Sequence, residues 1–585
     1  MKKLLVALLA VAVLASMAAA PVLAAALEKA PKGPPAPVVE KQAGVPDELA
    51  VFEGLSLEPS AAAASQGKAG IVLADLDGNK VADFLDDLLA VSQAGDQLPV
   101  IVQLDQAAGP FLKAAAAKVG NIGPGFVYDA AFNGFAATLT KGQIQLLQHL
   151  PGVVRVEYDL PVYATLSTAS SSFGVTKART DFGVTGNTDG NLTGYSKNDI
   201  VVAVIDTGID AAHVDLDGGK VIGWKDYVNS RTTPYDDNGH GTHCSSIAAG
   251  SGDGNVNYRG VAYGAALVGV KVLNAAGSGS MSTVAAGINW CISNKATYNI
   301  RVISLSLGTS GSSDGTDSTS VAVNNAYSNG IVAVVAAGNS GPARYTIGSP
   351  GAAANAITIG AMADTGEKGF YLASFSSRGP TADGRTKPDI ASPGVNIMAA
   401  KANSTNQYVS YSGTSMATPF TAGTAALMLA ANPGLTPAQV KSTITGTAQG
   451  WGPAGQDVDY GYGRLQAYEA IKSAGGFTGT GPAVPTHTYQ TASLTGAGDY
   501  DNWSLSVTST AYPVAVTLIM PNWSGSSTPD FDLYVYNPSG TQVGSSYGTT
   551  RQETVYFTPT VTGTYTIKVT SYTGSGTYFF DVSYK

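Results

Sequence analysis

Four polar residues lie in motifs whose residue types and positions could support nucleophilic catalysis. Asp206 follows the apolar run 201–205, His240 lies in Asn-Gly-His-Gly-Thr-His, and Ser415 lies in Gly-Thr-Ser-Met-Ala-Thr-Pro. A serine hydroxyl is a weak nucleophile at neutral pH and needs a base within hydrogen-bond reach. Histidine, with an ordinary pKa of about 6.5, suits that role. The base needs an acceptor for its second ring nitrogen, which Asp206 can supply.

The fourth residue, Asn339, could stabilise an anion that forms during the reaction. It lies in Ala-Ala-Gly-Asn-Ser-Gly after an apolar run, where a side-chain amide can project into a site. Ser415 enters a long apolar stretch that is predicted to be a helix, so its backbone N–H would also point towards a developing negative charge. Asp206, His240, Ser415 and Asn339 are therefore candidates for a catalytic site.

The segment from about 164 to 478 must position these residues, and it alternates apolar runs with helical patterns. Strands apolar on both faces indicate a parallel sheet covered by helices on both sides, which is an α/β fold. Sites in such sheets lie at the carboxyl ends of the strands. The predicted strands are 199–205, 266–273, 302–305, 331–335 and 356–359, and the predicted helices include 281–296, 319–329 and 416–431.

The chain has 585 residues, which exceeds what one hydrophobic core usually holds, so several domains are expected. Residues 98–163 show a strand and helix alternation typical of a small α+β domain. After Gly475-Gly476, Thr, Ser, Tyr and Val dominate, which indicates a β-sandwich. The predicted domains are an export signal (1–25), a Pro/Ala-rich linker with an acidic segment (26–97), the small domain (98–163), the α/β domain (164–478) and the sandwich (479–585).

The N-terminal segment indicates where the protein is located, and the overall charge indicates which partners it can bind. Lys2 and Lys3 precede the apolar run 4–20 and the small residues of a cleavage site, which predicts a cleaved export signal. The alternative, a membrane anchor, needs a longer uninterrupted apolar run. A net charge of −9 argues against a nucleic-acid partner. We expect a secreted, extracellular protein without stable membrane association.

The four motifs, taken together and in this order, resemble those of subtilisin-like serine peptidases. The resemblance covers roughly 195–470 and rests on the motifs at 206–208, 240–243, 336–339 and 413–419. It implies a three-layer parallel-sheet domain and a serine endopeptidase that forms an acyl-enzyme. It also implies that Asp206, His240 and Ser415 are the triad and that Asn339 is the oxyanion donor. Two alternatives stay open, a selective processing peptidase and an inactive binding protein.

By the same resemblance, an extended peptide substrate would pair with exposed edge segments of the enzyme. The walls of the corresponding cleft are small and uncharged, which favours broad specificity with an apolar or aromatic residue before the cut. Asp314 and Asp317 could instead attract basic residues, although a solvated loop explains them as well. The predicted substrate-binding residues are Gly277, Ser278, Gly279, Ser304, Leu305, Ser306, Gly308 and Gly338.

The flanking domains carry resemblances of their own. Residues 98–163 resemble inhibitory propeptides, through Phe-Asn-Gly-Phe-Ala at 132–136 and the strand 153–158. This implies a zymogen that cleaves itself shortly after about residue 160. Residues 479–585 resemble the pre-peptidase C-terminal domains of secreted peptidases. The expected partners are protein and peptide substrates and the chain's own propeptide, and the enzyme is expected to be a monomer.

Calcium is the expected cofactor, as a structural ion, and no organic cofactor is expected. By the resemblance, Asp215 matches one ligand of a family calcium site. Acidic residues on alternate positions can also converge on Ca²⁺. An ordinary turn or a polar strand edge explains these groups as well. The further candidate ligands are Asp75, Asp77, Asn79 and Asp83 in one segment, and Asp530 and Asp532 in the sandwich.

Four remaining residues of reactive type are expected to be structural. Cys244 and Cys291 fall inside apolar helical patterns, so buried free thiols are favoured over a disulfide, and a core role over a Cys-His nucleophile. His243 could pair with His240 on a metal, but no third ligand pattern accompanies the two. His213 is likewise expected to have a structural role.

Overall fold

The computed structural model describes residues 27–30, 78–81, 83–93, 96–124, 126–128, 133–158, 165–191, 194–523 and 529–585. These residues form two compact units. One unit comprises the described residues from 78 to 158, and the other comprises residues 27–30 together with those from 165 onward. The predicted export signal, 1–25, lies outside the described residues.

The smaller unit is a four-stranded antiparallel sheet packed against helices. Apolar residues on alternate strand positions, such as Val100, Val102 and Phe135, form its core with Phe111 and Leu147 from the helices. The strand order is Phe126–Tyr128, Gly134–Thr140, Gln97–Leu104 and Val153–Tyr158. The helices are Asp83–Val91, Ala108–Val119 and Lys141–Leu147.

The larger unit contains a seven-stranded sheet in which every neighbouring pair is parallel. Its strands are continuous apolar runs because helices cover both faces, as predicted. Val221–Asp226 and Ile390–Pro393 at the two edges are not in the prediction, because their charged residues and proline break the apolar pattern. The strand order is Ile390–Pro393, Ile357–Met362, Val332–Ala336, Ile300–Leu305, Val201–Asp206, Ala266–Lys271 and Val221–Asp226.

Helices cover the two faces of this sheet in different ways. Met281–Ser293 and Ser318–Ser328 bury one apolar stripe each against the sheet. Thr414–Ala431 is buried almost all round, which places it at the centre of the domain. The α/β fold class predicted from the sequence is confirmed. The other helices are Thr165–Ser172, Val175–Phe182, His240–Ala249, Lys295–Tyr298, Pro437–Gly446 and Ala467–Gly475, and a hairpin pairs Ile397–Ala400 with Tyr408–Tyr411.

The C-terminal residues form the predicted β-sandwich. Two antiparallel sheets enclose an apolar core that includes Trp503, Leu518, Phe531 and Ile567. One sheet, called the inner sheet below, has the order Thr486–Leu494, Gly576–Tyr584, Val514–Ile519 and Gln552–Phe557. The outer sheet has the order Glu28–Ala30, Tyr500–Val507, Gly563–Thr573, Asp530–Tyr536 and Gln542–Ser546.

The strand Glu28–Ala30 departs from the linker predicted over 26–97. It pairs with Tyr500–Val507 at the edge of the outer sheet, Leu27 is buried in the sandwich core, and Lys29 forms an ion pair with Asp501 at 2.8 Å. An edge strand leaves unpaired backbone groups that a further strand can satisfy. Three residues in a Pro/Ala-rich segment give no alternation from which this pairing could be predicted.

Within the described part of the chain, no helix is both long enough and apolar enough to cross a membrane.

Candidate active site

Asp206 and His240 form an ion pair at the carboxyl edge of the sheet. Asp206 is the last residue of strand Val201–Asp206 and is fully buried, and His240 begins the helix His240–Ala249. His240 Nδ1 lies 2.7 Å from Asp206 Oδ1, which also accepts a hydrogen bond from the backbone N–H of Thr207 at 2.7 Å. The aspartate therefore fixes the orientation of the imidazole, and the second ring nitrogen, Nε2, remains available to accept a proton.

A second aspartate, Asp236, holds the segment that brings His240 to Asp206. Its carboxylate accepts hydrogen bonds from Thr207 Oγ1 (3.0 Å), the Gly239 amide (2.9 Å) and the Thr242 amide (2.9 Å). Gly241 is required at this junction, because a Cβ there would lie 2.3 Å from the carbonyl oxygen of Gly208. Asp236 is not among the residues predicted from the sequence, although an acidic residue shortly before a predicted helix is a signal for helix capping.

A buried lysine stabilises the end of the strand that carries Asp206. It is not among the site residues predicted from the sequence. Lys271 lies beside Asp206 in the neighbouring strand and is fully buried. Its ammonium donates to the carbonyl oxygens of Thr207 and Leu273 and to Asp237 Oδ1. It thereby ties the end of the Asp206 strand to Leu273, which lines the cleft described below. In the sequence, Lys271 is hidden inside an apolar strand pattern.

Ser415 lies in the first turn of the helix Thr414–Ala431. Its hydroxyl donates to the carbonyl oxygen of Ser306 at 3.2 Å, and Ser306 Oγ donates to the carbonyl oxygen of Ser415 at 2.8 Å. To act as a nucleophile, the hydroxyl must donate to His240 Nε2 in place of the Ser306 carbonyl oxygen. Both Ser415 and His240 line the same cleft.

Asn339 is oriented by the residue that precedes Ser415. It follows the strand Val332–Ala336 and is half-buried. Its Oδ1 accepts hydrogen bonds from the Thr414 amide (2.9 Å) and the Thr414 hydroxyl (3.0 Å). With its oxygen held in this way, the Nδ2 group is left as a fixed donor beside the N-terminus of the Ser415 helix.

The cleft beside Ser415 has a volume of about 470 Å³, and none of the described residues that line it is Asp, Glu, Lys or Arg. Five of the eight predicted substrate-binding residues line it, namely Gly277, Ser278, Gly279, Ser306 and Gly308. Ser304 and Leu305 do not, because both are fully buried in their strand and Leu305 belongs to the core. Gly338 is not among the lining residues either.

The remaining histidines and cysteines near the cleft have structural contacts. His243 Nε2 lies 3.0 Å from the carbonyl oxygens of both Ile397 and Val409, and His213 Nε2 lies 2.9 Å from that of Gln407. Cys244 and Cys291 are buried free thiols, as predicted. Cys244 Sγ approaches His240 Nδ1 only to 3.9 Å, and burial raises the pKa of this thiol, so it stays protonated at neutral pH.

Comparison with known proteins shows to which family the chain belongs. The model of the subtilase family matches residues 197–463. Serine protease AprX of Bacillus subtilis (strain 168) is 44% identical over 294 residues, which cover 46% of this chain and 66% of AprX, just under two thirds of its length. Subtilisin E of the same organism is 35% identical over 343 residues, which cover 58% of this chain and 81% of subtilisin E. The chain belongs to the subtilase family.

The comparisons also identify the chemistry and the flanking parts of this subtilase. The subtilase match and the subtilisin relatives identify it as a serine endopeptidase. The model of the peptidase inhibitor I9 family matches residues 101–165, and that of the bacterial pre-peptidase C-terminal domain matches residues 499–571. The solved structure of sphericase is 34% identical and covers 51% of this chain and 99% of sphericase, with a TM-score of 0.41.

At Asp215, the described residues do not fit a calcium ion. The Tyr408 hydroxyl donates to both carboxylate oxygens, at 3.2 and 3.1 Å, and the Gly254 amide donates to Oδ1 at 3.0 Å. A calcium site needs oxygen acceptors that converge on the ion, whereas these neighbours are N–H and O–H donors that take its place. These contacts give no support for calcium at Asp215, and its role as a ligand stays a prediction.

The contacts of the other predicted calcium ligands differ from those of Asp215. Asp75 and Asp77 lie outside the described residues. Asn79 donates to Asp86 at 2.7 Å and accepts from the Val81 amide at 2.7 Å, while Asp83 begins a helix. Asp530 and Asp532 are both buried on one strand, and within the described residues no third carboxylate, histidine or thiol converges with them. Calcium binding at these two positions stays a prediction.

The histidine of this subtilase should set the acid side of its pH profile. Burial lowers the pKa of His240, but the Asp206 carboxylate raises it, and the net pKa lies well above 6.5. The base must be neutral to accept a proton, so kcat/KM should fall below a midpoint that lies above pH 6.5. The measurement is kcat/KM for a peptide substrate from pH 5 to 10.

Tryptophan fluorescence over the same range is the control, because it separates loss of the base from unfolding. His243 does not interfere, since burial lowers its pKa to about 3. A midpoint at or below pH 6.5 in the folded enzyme would contradict the raised pKa of His240, and with it the effect assigned to the Asp206 carboxylate.

Proposed function

We propose that the chain is a secreted, self-processing zymogen of a broad-specificity endopeptidase, with Asp206, His240 and Ser415 as its catalytic triad. The observation that carries this proposal is the 2.7 Å pair between His240 Nδ1 and the buried Asp206, which shares one cleft with a serine at a helix N-terminus. This combination supplies a base, its orienting acceptor and a nucleophile.

In the proposed reaction, Ser415 Oγ attacks the carbonyl carbon of the scissile bond and its proton passes to His240 Nε2. Asp206 accepts the Nδ1–H bond and stabilises the imidazolium. The Asn339 side-chain N–H and the Ser415 backbone N–H donate to the oxyanion. The tetrahedral intermediate then collapses, His240 protonates the departing amine, and a water molecule activated by His240 hydrolyses the acyl-enzyme.

The lining of the cleft supports an apolar or aromatic residue before the cut. The walls are formed by small residues and hydroxyl groups, including Gly308, Thr319 and Ser349, and none of the described wall residues has an acidic side chain that could pair with lysine or arginine. Asp317 lies behind this wall and accepts hydrogen bonds from Ser349 Oγ at 2.5 Å and the Ser320 amide at 2.9 Å. Its charge is thus engaged in capping the helix Ser318–Ser328.

The N-terminal domain supports zymogen processing. The match to the inhibitor I9 family ends at residue 165, close to the cut expected after about residue 160. Lys2 and Lys3 before the apolar run 4–20, together with a pre-peptidase C-terminal domain, are typical of an exported peptidase. We therefore propose that the mature enzyme works outside the cell, on proteins and peptides, after it removes its own propeptide.

The experiment is covalent labelling of the purified chain with diisopropyl fluorophosphate, followed by peptide mapping. We expect one adduct, on the peptide that contains residues 413–419, together with loss of caseinolytic activity and with a mature N-terminus close to residue 160. The heat-unfolded chain is the control and should not react. An adduct on another serine would overturn the triad assignment. A folded chain with neither adduct nor hydrolysis would favour the inactive binding protein.

A further inference from the structure

The two central strands of the inner sheet of the C-terminal domain, Val514–Ile519 and Gly576–Tyr584, are buried on both faces. Val514, Val516 and Leu518 face the sandwich core, yet Ala515 and Thr517 between them are buried as well. In the neighbouring strand, Asp581 and Ser583 are buried on the face opposite the core. An antiparallel sheet of an independent sandwich usually leaves one face to water. Here the subtilase domain covers the second face.

An arginine and an aspartate form the centre of this contact. The Arg551 guanidinium of the C-terminal domain binds Asp459 of the subtilase domain through two bonds, Nη1 to Oδ1 at 2.5 Å and Nη2 to Oδ2 at 2.9 Å. Both side chains are almost fully buried. Burial raises the pKa of Asp459, but Arg551 lowers it, and the net pKa is below the ordinary value. A buried charge that loses its partner is strongly destabilising.

Further polar and aromatic contacts surround this ion pair. Gln552 Nε2 donates to the carbonyl oxygen of Leu372 at 2.8 Å, and Gln552 Oε1 accepts from Arg378 at 2.7 Å. The Gly452 amide donates to Asp581 at 2.9 Å. The additional ring contacts are Tyr371 with Tyr556 at 5.0 Å and Trp451 with His487 at 4.0 Å between ring centroids. The two domains are thus joined by several polar and aromatic contacts around the buried ion pair.

These contacts reach the loop that carries Asn339. Arg551 Nη1 also donates to the carbonyl oxygen of Pro342, at 3.3 Å, three residues after Asn339. The loop is bonded along its length to residues 375–377. The bonds run from the Ser377 amide to Gly338 O (2.9 Å), from the Ser340 amide to Ser377 Oγ (3.1 Å) and from the Gly341 amide to Phe375 O (2.8 Å). Asn339 is thus bonded to Thr414 at the start of the Ser415 helix, and the loop that carries it is bonded at Pro342 to Arg551 of the C-terminal domain.

We propose that Arg551 is a positioning residue for catalysis, and that the C-terminal domain is a permanent part of the mature enzyme. Arg551 and Asp459 fix the loop 338–342, so that the Asn339 amide is already in place when the oxyanion forms. A preorganised donor costs no reorganisation at the moment of reaction, and displacement of such a group by about 1 Å can cost about 100-fold in rate. The inference rests on the proposed role of Asn339.

The test is a double-mutant cycle in the full-length enzyme between Arg551→Met and Asn339→Ala, with kcat and KM measured on one peptide substrate below the melting temperature of every variant. We expect Arg551→Met to lower kcat about 10- to 100-fold with little change in KM. In the Asn339→Ala background it should cause almost no further loss, because the donor that it positions is already absent. Arg551→Lys keeps a cation and should recover part of kcat.

Tyr578→Phe is the matched control within the same domain. It removes a buried hydroxyl that binds Asp501 at 2.8 Å and Trp503 at 2.9 Å on the core face of the sandwich. It should lower the melting temperature without changing kcat. If Arg551→Met lowers kcat equally in both backgrounds, or leaves it unchanged, the positioning role is wrong. If the Arg551→Met variant does not fold, the same double-mutant cycle is measured with the Arg551→Lys variant.

Two outcomes separate this inference from the proposed function. If Asn339→Ala alone leaves kcat unchanged, the oxyanion assignment fails, whatever Arg551 does. The mass of the purified mature enzyme tests the permanence of the C-terminal domain, and it should include residues up to Lys585. A mature enzyme that ends near residue 478 and retains full kcat would overturn the inference while leaving the triad intact.

Discussion

Replacement of Ser415 by alanine should lower kcat by about 10⁶-fold, the size of the effect that removal of the nucleophile has in subtilisin. Alanine removes the only atom that can form the acyl-enzyme in the proposed mechanism. The oxyanion donors and the cleft remain, so a residual rate above that in water should persist. The measurement is single-turnover and steady-state hydrolysis of a chromogenic peptide by highly purified protein.

The same variant should remain a full-length chain. If the propeptide is removed by the enzyme's own site, the cut near residue 160 requires Ser415, and masses of the expressed chains will show whether it occurs. Ser442→Ala is the control, because this serine lies on the helix Pro437–Gly446 away from the cleft and its hydroxyl binds the Gln439 carbonyl oxygen. A Ser415→Ala chain that still processes itself and digests casein would remove Ser415 from the mechanism.

How much of this site the sequence could predict depends on where each residue lies. Asp206 and Asn339 follow apolar runs, and Ser415 precedes one. Parallel strands place such ends at one edge of the sheet. Ser304 and Leu305 do not line the cleft, because the strand Ile300–Leu305 is buried on both faces, and such a strand gives no alternation to show which side chains reach the cleft. The cleft begins only at Ser306, after the strand has ended.

The contact between the two domains could not be predicted for a related reason. Asp581 and Thr517 alternate with apolar residues, and this pattern normally indicates a strand with one solvated face. Here the polar face is buried against a second domain, where charged and amide groups find partners such as Arg378 and Gly452. Local alternation reports which face is polar, but not whether water or another domain satisfies it.

Asp206→Asn should lower kcat by about 10⁴-fold, less than the loss expected for the nucleophile. The asparagine side chain would keep the size of the aspartate but could offer an N–H where His240 Nδ1–H needs an acceptor. The imidazole would then favour the tautomer that carries its proton on Nε2, which cannot accept the proton of Ser415. KM should change little, because Asp206 is buried and does not line the cleft.

The pH profile and a double variant distinguish this role from a merely structural one. Since the Asp206 carboxylate raises the pKa of His240 against the effect of burial, Asp206→Asn should move the acid midpoint of kcat/KM to lower pH. A structural defect would lower the rate at every pH and leave the midpoint in place. In the Ser415→Ala background, Asp206→Asn should have almost no further effect, because an oriented base has no hydroxyl left to activate. Additive losses would mean that Asp206 acts on something other than the serine.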